Sequence, residues 1–271
     1  MNKAEVYYFS GTGNSLHVAR ELQKRIPEVK LIPIVSLLDK DIIKTDSETV
    51  GFIFPVHLAT IPIPVKEFLK KVDLKTATYI FALATRCGTT HRAFLDTDKA
   101  LKKQGKSLSS YFNINMSDNN PRFQNWHIPT EEEVEKIESE AKATLELIQE
   151  TIVNQEKKRG EDTTAINTLP TILIWGVPLL TGLADLLGFH DDFYSESKCS
   201  GCGTCEKVCL AKKIQMINNR PIWQKNITCF SCRACLNYCP VQAVQMKKSH
   251  TDKNGRYYHP FATANEIAGQ K

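Results

Sequence analysis

The sequence predicts an α/β protein: a doubly wound, five-stranded parallel sheet followed by a small α+β domain. Three observations predict it. Short, unbroken apolar runs alternate with amphipathic stretches over the first 120 residues, the pattern of strands buried on both faces by crossover helices. Eight of the nine cysteines lie between Cys199 and Cys239. Around them the chain repeats itself with a period of thirty: Cys199, Cys202, Cys205 and Cys209 recur as Cys229, Cys232, Cys235 and Cys239, and Ile214-Gln215-Met216 recurs as Val244-Gln245-Met246.

The elements follow in order. Val6 to Phe9 reads as the first strand, and Leu16, Val18, Ala19, Leu22 and Ile26 mark the face of the helix after it. Lys30 to Val35 is the second strand and Val50 to Phe54 the third. Pro62 to Val72 is helical beyond its prolines, Tyr79 to Ala84 is the fourth strand, His91 to Gln104 a helix, and Leu108 to Met116 the fifth strand. Thr130 and Glu133 fit a capping box opening a helix that runs to about Lys157, with Val134, Ile137, Ala141, Leu145, Ile148 and Ile152 as its buried face. The expected domains are 1–160, an apolar connector 161–190, and 191–271.

Composition narrows the class. Of 271 residues, 42% are apolar and 24% charged, which is ordinary for a globular protein. The net charge of +5 comes from scattered residues with only short runs such as Lys157-Lys158-Arg159, so nucleic-acid binding fits poorly. Met1-Asn2-Lys3 leads straight into the first strand without a signal-peptide core. That points to the cytoplasm, where clustered cysteines bind metal more often than they form disulfides. Residues 168–189 are largely apolar and near the length of a membrane span. Pro170 and Pro178 would interrupt one, which favours a buried or membrane-surface connector; membrane contact there is the lesser reading.

Each cysteine copy has the spacing C-x2-C-x2-C-x3-C. Three thiolates in a tight loop can wrap three corners of a cubane, and the fourth points away to the cluster of the other copy. The expected ligands are Cys199, Cys202, Cys205 and Cys239 for one [4Fe–4S] cluster, and Cys229, Cys232, Cys235 and Cys209 for the second. Disulfides conflict with a reducing compartment, and zinc knuckles commonly pair two C-x2-C units around one ion. From Lys198 to Met246 the chain resembles bacterial-type two-cluster ferredoxins.

At the other end, Ser10-Gly11-Thr12-Gly13-Asn14-Ser15 joins the first strand to the first helix. Hydroxyls and backbone N–H groups at a helix start form an anion nest. The loop has no lysine, so it is not a nucleoside-triphosphate loop. As a plain turn it would only cap the helix. It is similar to the flavodoxin phosphate loop that holds FMN, and Glu5 to Met116 fits a flavodoxin-like five-stranded sheet. That resemblance implies two further loops at the flavin ring: Pro55, Val56, His57 and Leu58 after the third strand, and Thr85, Arg86, Cys87 and Gly88 after the fourth. His57 would lie near the ring, Arg86 near its N1, and Cys87 either against the flavin or in the core. The Pro55–Pro62 loop has no Trp or Tyr to stack on the ring, which implies weaker flavin binding or a face open to a partner.

The whole resembles flavodoxin–ferredoxin fusions. That implies low-potential electron transfer between FMN, two [4Fe–4S] clusters and partner redox enzymes (ferredoxin-dependent or flavin enzymes), in an anaerobe. The alternative is a flavin-dependent oxidoreductase reducing a small molecule or quinone at FMN, with residues 113–127 as a lid over a substrate pocket. No catalytic acid stands out in the flavin loops apart from His57 and His91.

Overall fold

A computed structural model describes residues 3–57, 60–88, 90, 92–159 and 192–271. The expected 161–190 connector lies outside them, as do Leu58 and His91. The described residues form two compact units: one comprises 3–10, 14–117 and 131–159, the other 11–13, 118–130 and 192–271. A single cut near residue 160 therefore does not separate them, because 11–13 and 118–130 group with the carboxyl-terminal unit.

The first unit is built on β1 (Ala4–Tyr8), β2 (Val29–Pro33), β4 (Thr49–Pro55), β6 (Tyr79–Arg86) and β7 (Ser110–Asn115). All pairs are parallel and the order is β2-β1-β4-β6-β7. Numbered among themselves these strands run 2-1-3-4-5, the flavodoxin-like order. The central strands β4 and β6 are buried along nearly their whole length, as their continuous apolar sequence requires. The edge strand β7 alternates buried residues with half-buried ones and ends on the exposed Asn115. A two-residue parallel pair, β3 (Ile43–Lys44) with β5 (Val72–Asp73), is too short to leave a periodic signal in the sequence.

Helices α1 (Asn14–Arg25), α2 (Ile63–Lys71), α3 (Ala93–Lys102) and α4 (Glu131–Val153) cover the sheet. On one face, Val18, Ala19 and Leu22 of α1 and Ala141, Leu145, Ile148 and Ile152 of α4 join Val6, Ile53, Phe81, Leu83 and Ile114 in one core. On the other, Phe68 of α2 packs against Tyr7 and Phe52, with ring centroids 4.7 and 6.2 Å away. Val134 and Ile137 of α4 are only half-buried, so the apolar stripe seats in the core from Ala141 onward. The helix ends at Val153, before Lys157, because Gln155 turns left-handed (φ 53°) and Glu156 N–H caps Thr151 O at 2.9 Å.

In the second unit the thirty-residue repeat is a repeat of backbone geometry. Short helices α5 (Thr204–Lys207) and α6 (Ala234–Asn237) occupy equivalent places. Positive φ recurs thirty residues apart four times: Gly201 and Ser231, Gly203 and Arg233, Lys212 and Gln242, Asn218 and Lys248. Strand β8 (Phe193–Ser195) pairs antiparallel with β11 (Val244–Met246), and β9 (Ile214–Ile217) with β10 (Arg220–Trp223). The strand before the first cysteine loop thus pairs with the strand after the second. Phe193 and its repeat equivalent Trp223 stack, with centroids 6.3 Å apart and planes 16° from parallel.

Candidate functional site

Parallel strands deliver their carboxyl ends to one edge of the sheet, and the three loops read as flavin-binding follow β1, β4 and β6 there. The pairings Tyr8↔Ile53 and Pro55↔Thr85 set their alignment. Phe9 N–H donates to Ile53 O (3.0 Å), Val56 N–H to Thr85 O (3.0 Å) and Met116 N–H to Arg86 O (2.7 Å). Ser15 Oγ and Thr85 Oγ1, both buried, are 2.7 Å apart, so the start of α1 is tied to the end of β6. These residues lie beside the reversal of strand order between β1 and β4, where this topology opens its ligand crevice.

The residues of the Ser10–Ser15 loop are all buried. Asn14 Nδ2 donates to Ser117 O at 3.0 Å, whereas Asn14 Oδ1 is buried with no partner among the described residues. An orphaned buried acceptor is costly. A hydroxyl donor of the kind a ribityl chain carries would satisfy it, and a phosphate oxygen would not. Within the second unit, the loop tip Gly11–Gly13 is closely covered. His259 N–H donates to Thr12 O (2.8 Å), Asn119 Nδ2 donates to Thr12 Oγ1, and a Cβ on Gly13 would stand 2.8 Å from His259 Cβ.

Of the proposed ring contacts, His57 is half-buried, with its ring edge-on to Phe9 at 6.0 Å. Arg86 Nε donates to Asn115 Oδ1 at 3.1 Å. Cys87 is exposed, so the reading of it as a core residue does not hold; it sits where β6 has already left the sheet. Gly88 is exposed beside it.

None of the nine cysteines is in a disulfide, which goes against the disulfide reading. Cys205, Cys209, Cys235 and Cys239 are buried, Cys199, Cys229 and Cys232 partly so, and Cys202 is exposed. Burial pushes the Cys205 thiol up to about 11, with Cys239, Cys199 and Cys202 adding to the shift. Those are the expected members of its own set. Burial also pushes Cys232 up to about 12, with Cys229 and Cys209 as its negative neighbours. Cys235 is raised by burial and then by Cys229, Cys232, Cys209 and Cys205. Cys209, Cys229, Cys232 and Cys235 also line one pocket together with Phe230, Ile214 and Trp223.

The fourth cysteine of each copy is held the same way: Lys213 N–H donates to Cys209 Sγ and Ala243 N–H to Cys239 Sγ, both at 3.2 Å. The Thr204 hydroxyl, 3.4 Å from Cys202 Sγ, lowers the Cys202 thiol pKa. Buried, mutually repelling thiols with backbone donors aimed at sulfur suit an electropositive iron–sulfur cube. Sequence reasoning did not find Arg256, whose guanidinium bonds the chain on either side of Cys239 at Leu236 O (3.1 Å) and Val244 O (2.9 Å). It lies outside the repeat and only folding brings it there.

Residues 198–244 match the family model of the 4Fe-4S dicluster domain. No curated protein sequence matches the chain. Among solved structures, a rubredoxin:oxygen oxidoreductase from the anaerobe Desulfovibrio gigas aligns at 16% identity and TM-score 0.33, over 57% of this chain and 37% of that one. A flavodoxin from the domain Archaea aligns at 14% identity and TM-score 0.30, over 54% of this chain and 98% of that one. These likenesses are weak, and the fold assignment rests on strand order. The match over 198–244 and the 2-1-3-4-5 parallel sheet together are consistent with a flavodoxin–ferredoxin fusion.

Proposed function

We propose that this chain is a low-potential electron-transfer protein that holds FMN and two [4Fe–4S] clusters and exchanges electrons with partner redox enzymes. FMN takes up two electrons in single steps, and each cubane passes one. One chain carrying both replaces a diffusional encounter with an intramolecular one.

The observation that carries the reading is the interleaving of the cysteines. Cys209 of the first copy lines one pocket with Cys229, Cys232 and Cys235 of the second, and Cys239 of the second copy acts on Cys205 of the first. A pair of zinc knuckles gives no reason for either crossing. The exposed Cys202 corner marks its cluster as the one a partner protein would approach. Thiolate ligation of this kind suits a reducing cytoplasm and an anaerobic host.

The competing reading is a flavin-dependent oxidoreductase with residues 113–127 as a substrate lid. Residues 119–123 of that stretch are fastened down within the second unit. Asn237 Nδ2 donates to Asn119 O, Asn254 Nδ2 to Pro121 O and Phe123 O, and His250 N–H to Arg122 O. A segment held by four such bonds is a poor lid, which favours the carrier.

The test is an anaerobic redox titration followed by EPR, with flavin, iron and sulfide quantified. The expected result is two cubanes and one FMN per chain. Finding neither would sink the proposal. Rapid reduction of small molecules or quinones in single turnovers, with sluggish reduction of one-electron protein acceptors, would favour the oxidoreductase.

A further inference from the structure

Arg256 follows β11 and makes six hydrogen bonds. Nε donates to Leu236 O (3.1 Å). Nη1 donates to Thr251 O (2.9 Å), Asn254 O (2.8 Å) and Gly255 O (3.0 Å). Nη2 donates to Val244 O (2.9 Å) and Gln245 Oε1 (3.1 Å). Every acceptor is neutral. Among the described residues no carboxylate forms an ion pair with it. Glu196 is the nearest acidic influence, and its own carboxylate is taken by Lys198 Nζ (2.9 Å) and Gln245 Nε2 (3.2 Å).

A half-buried guanidinium with only carbonyl partners is saturated in hydrogen bonds but uncompensated in charge, and a charge removed from water needs an opposite one. Of the two negative groups that act on it, Cys239 comes ahead of Glu196. Its acceptors Leu236 and Val244 bracket Cys239 in the chain, so the side chain spans the two arms that carry this ligand.

The other copy is different. Lys271 Nζ donates to Glu206 O (3.3 Å) and Cys209 O (3.2 Å). Glu206 is the repeat equivalent of Leu236, so a cation stands at the corresponding place. Burial lowers the Lys271 pKa and Cys209 opposes that shift, but Lys271 is exposed where Arg256 is half-buried, so water and salt screen its charge more.

We propose that Arg256 is a positioning residue that compensates the charge of the cluster held by Cys199, Cys202, Cys205 and Cys239 and raises its reduction potential above that of its twin. This rests on the interleaved-cluster reading above. Reduction adds one negative charge to a cube; a fixed, poorly screened positive charge beside a ligand stabilises that state. The paired cubanes then differ in potential, and the cluster nearer Arg256 fills first.

The experiment uses the full-length, anaerobically loaded protein and an EPR-monitored titration of wild type, Arg256→Gln, Arg256→Lys and Gln245→Glu. The signal of the Cys239-containing cluster is identified as the one altered in Cys202→Ala. For Arg256→Gln we expect at least a tenfold fall in its reduced-to-oxidised ratio at fixed potential, about 59 mV for a one-electron couple, with the other cluster little changed. Arg256→Lys retains the charge and most of the potential. Gln245→Glu sets a carboxylate against Nη2 and reproduces the downward shift with the arginine in place.

Equal potentials in wild type and Arg256→Gln at full iron content overturn the proposal, as does an equal shift of both clusters. If Arg256→Gln does not keep its clusters, Gln245→Glu decides, and no shift there overturns it. Absence of any cubane signal from wild type would instead overturn the cluster reading beneath it.

Discussion

Gly11 packs against the backbone of Cys232: a Cβ added at Gly11 would run into the Cys232 carbonyl oxygen and stand 2.7 Å from its Cβ. Gly11 does not need glycine for a left-handed backbone, since its φ is not positive; it needs glycine for space. The tip of the anion-nest loop and a cysteine loop therefore press on one another within one unit.

Gly11→Ala should consequently damage the cysteine side. Forcing a methyl group against a backbone carbonyl costs roughly 1–3 kcal/mol. The expected outcome is a lower Tm and an iron content falling from two cubanes toward one, with loss of the cluster that contains Cys232. Anaerobic iron and sulfide quantification checks it; full loading at unchanged Tm would show that the loop yields.

The crossing of the ligand sets makes a paired prediction. Cys239→Ala should alter the same EPR signal as Cys202→Ala, and Cys209→Ala the same signal as Cys232→Ala. If Cys209→Ala instead tracks Cys202→Ala, each cluster is held by consecutive cysteines and the interleaving is wrong.

Ser15 and Thr85 link the nest loop to the end of β6 through one buried hydroxyl pair. Ser15→Ala removes both that link and a candidate phosphate donor. A hydrogen bond to a charged group contributes about 1.5–3 kcal/mol, so FMN affinity should fall at least tenfold. Fluorescence titration of flavin into flavin-free protein measures it, and Thr85→Val, which breaks the link but keeps the Ser15 hydroxyl, should show a smaller effect.

Glu21 sets an acid limit on the stability of the first unit. Burial alone would raise its carboxyl, but hydrogen bonds from Lys24 (2.7 Å) and Arg25 (2.8 Å) win and hold it at about 2. A depressed carboxyl stabilises the fold above its ordinary value of 4.5 and loses that contribution as the pH falls toward 2. Denaturant unfolding of wild type and Glu21→Gln should differ most near pH 5 and converge as the pH approaches 2. A gap that does not change with pH would show that the ion pairs contribute nothing.

The sheet was legible because its strands are buried on both faces, and two-sided burial leaves unbroken apolar runs such as Val50 to Phe54 and Tyr79 to Ala84. The end of α4 was not, because a left-handed Gln155 closes it without a glycine to announce the turn. Cys87 was ambiguous for a related reason: one thiol carries no period, so only its position beyond the sheet shows that it is exposed.

By itself the sequence determined the alternation that makes a parallel sheet and the thirty-residue repeat that makes two equivalent cysteine loops. Both are local, periodic properties, written wherever backbone geometry and burial recur at fixed spacing. Only the tertiary structure decided that Gly11–Gly13 and 118–130 group with the cysteine unit, that Gly11 must be small for Cys232, and that Arg256 reaches across Cys239. These are contacts between residues far apart in the chain, at positions without periodicity. Steric exclusion and charge compensation at such places depend on where the folded backbone returns, and no local pattern encodes that.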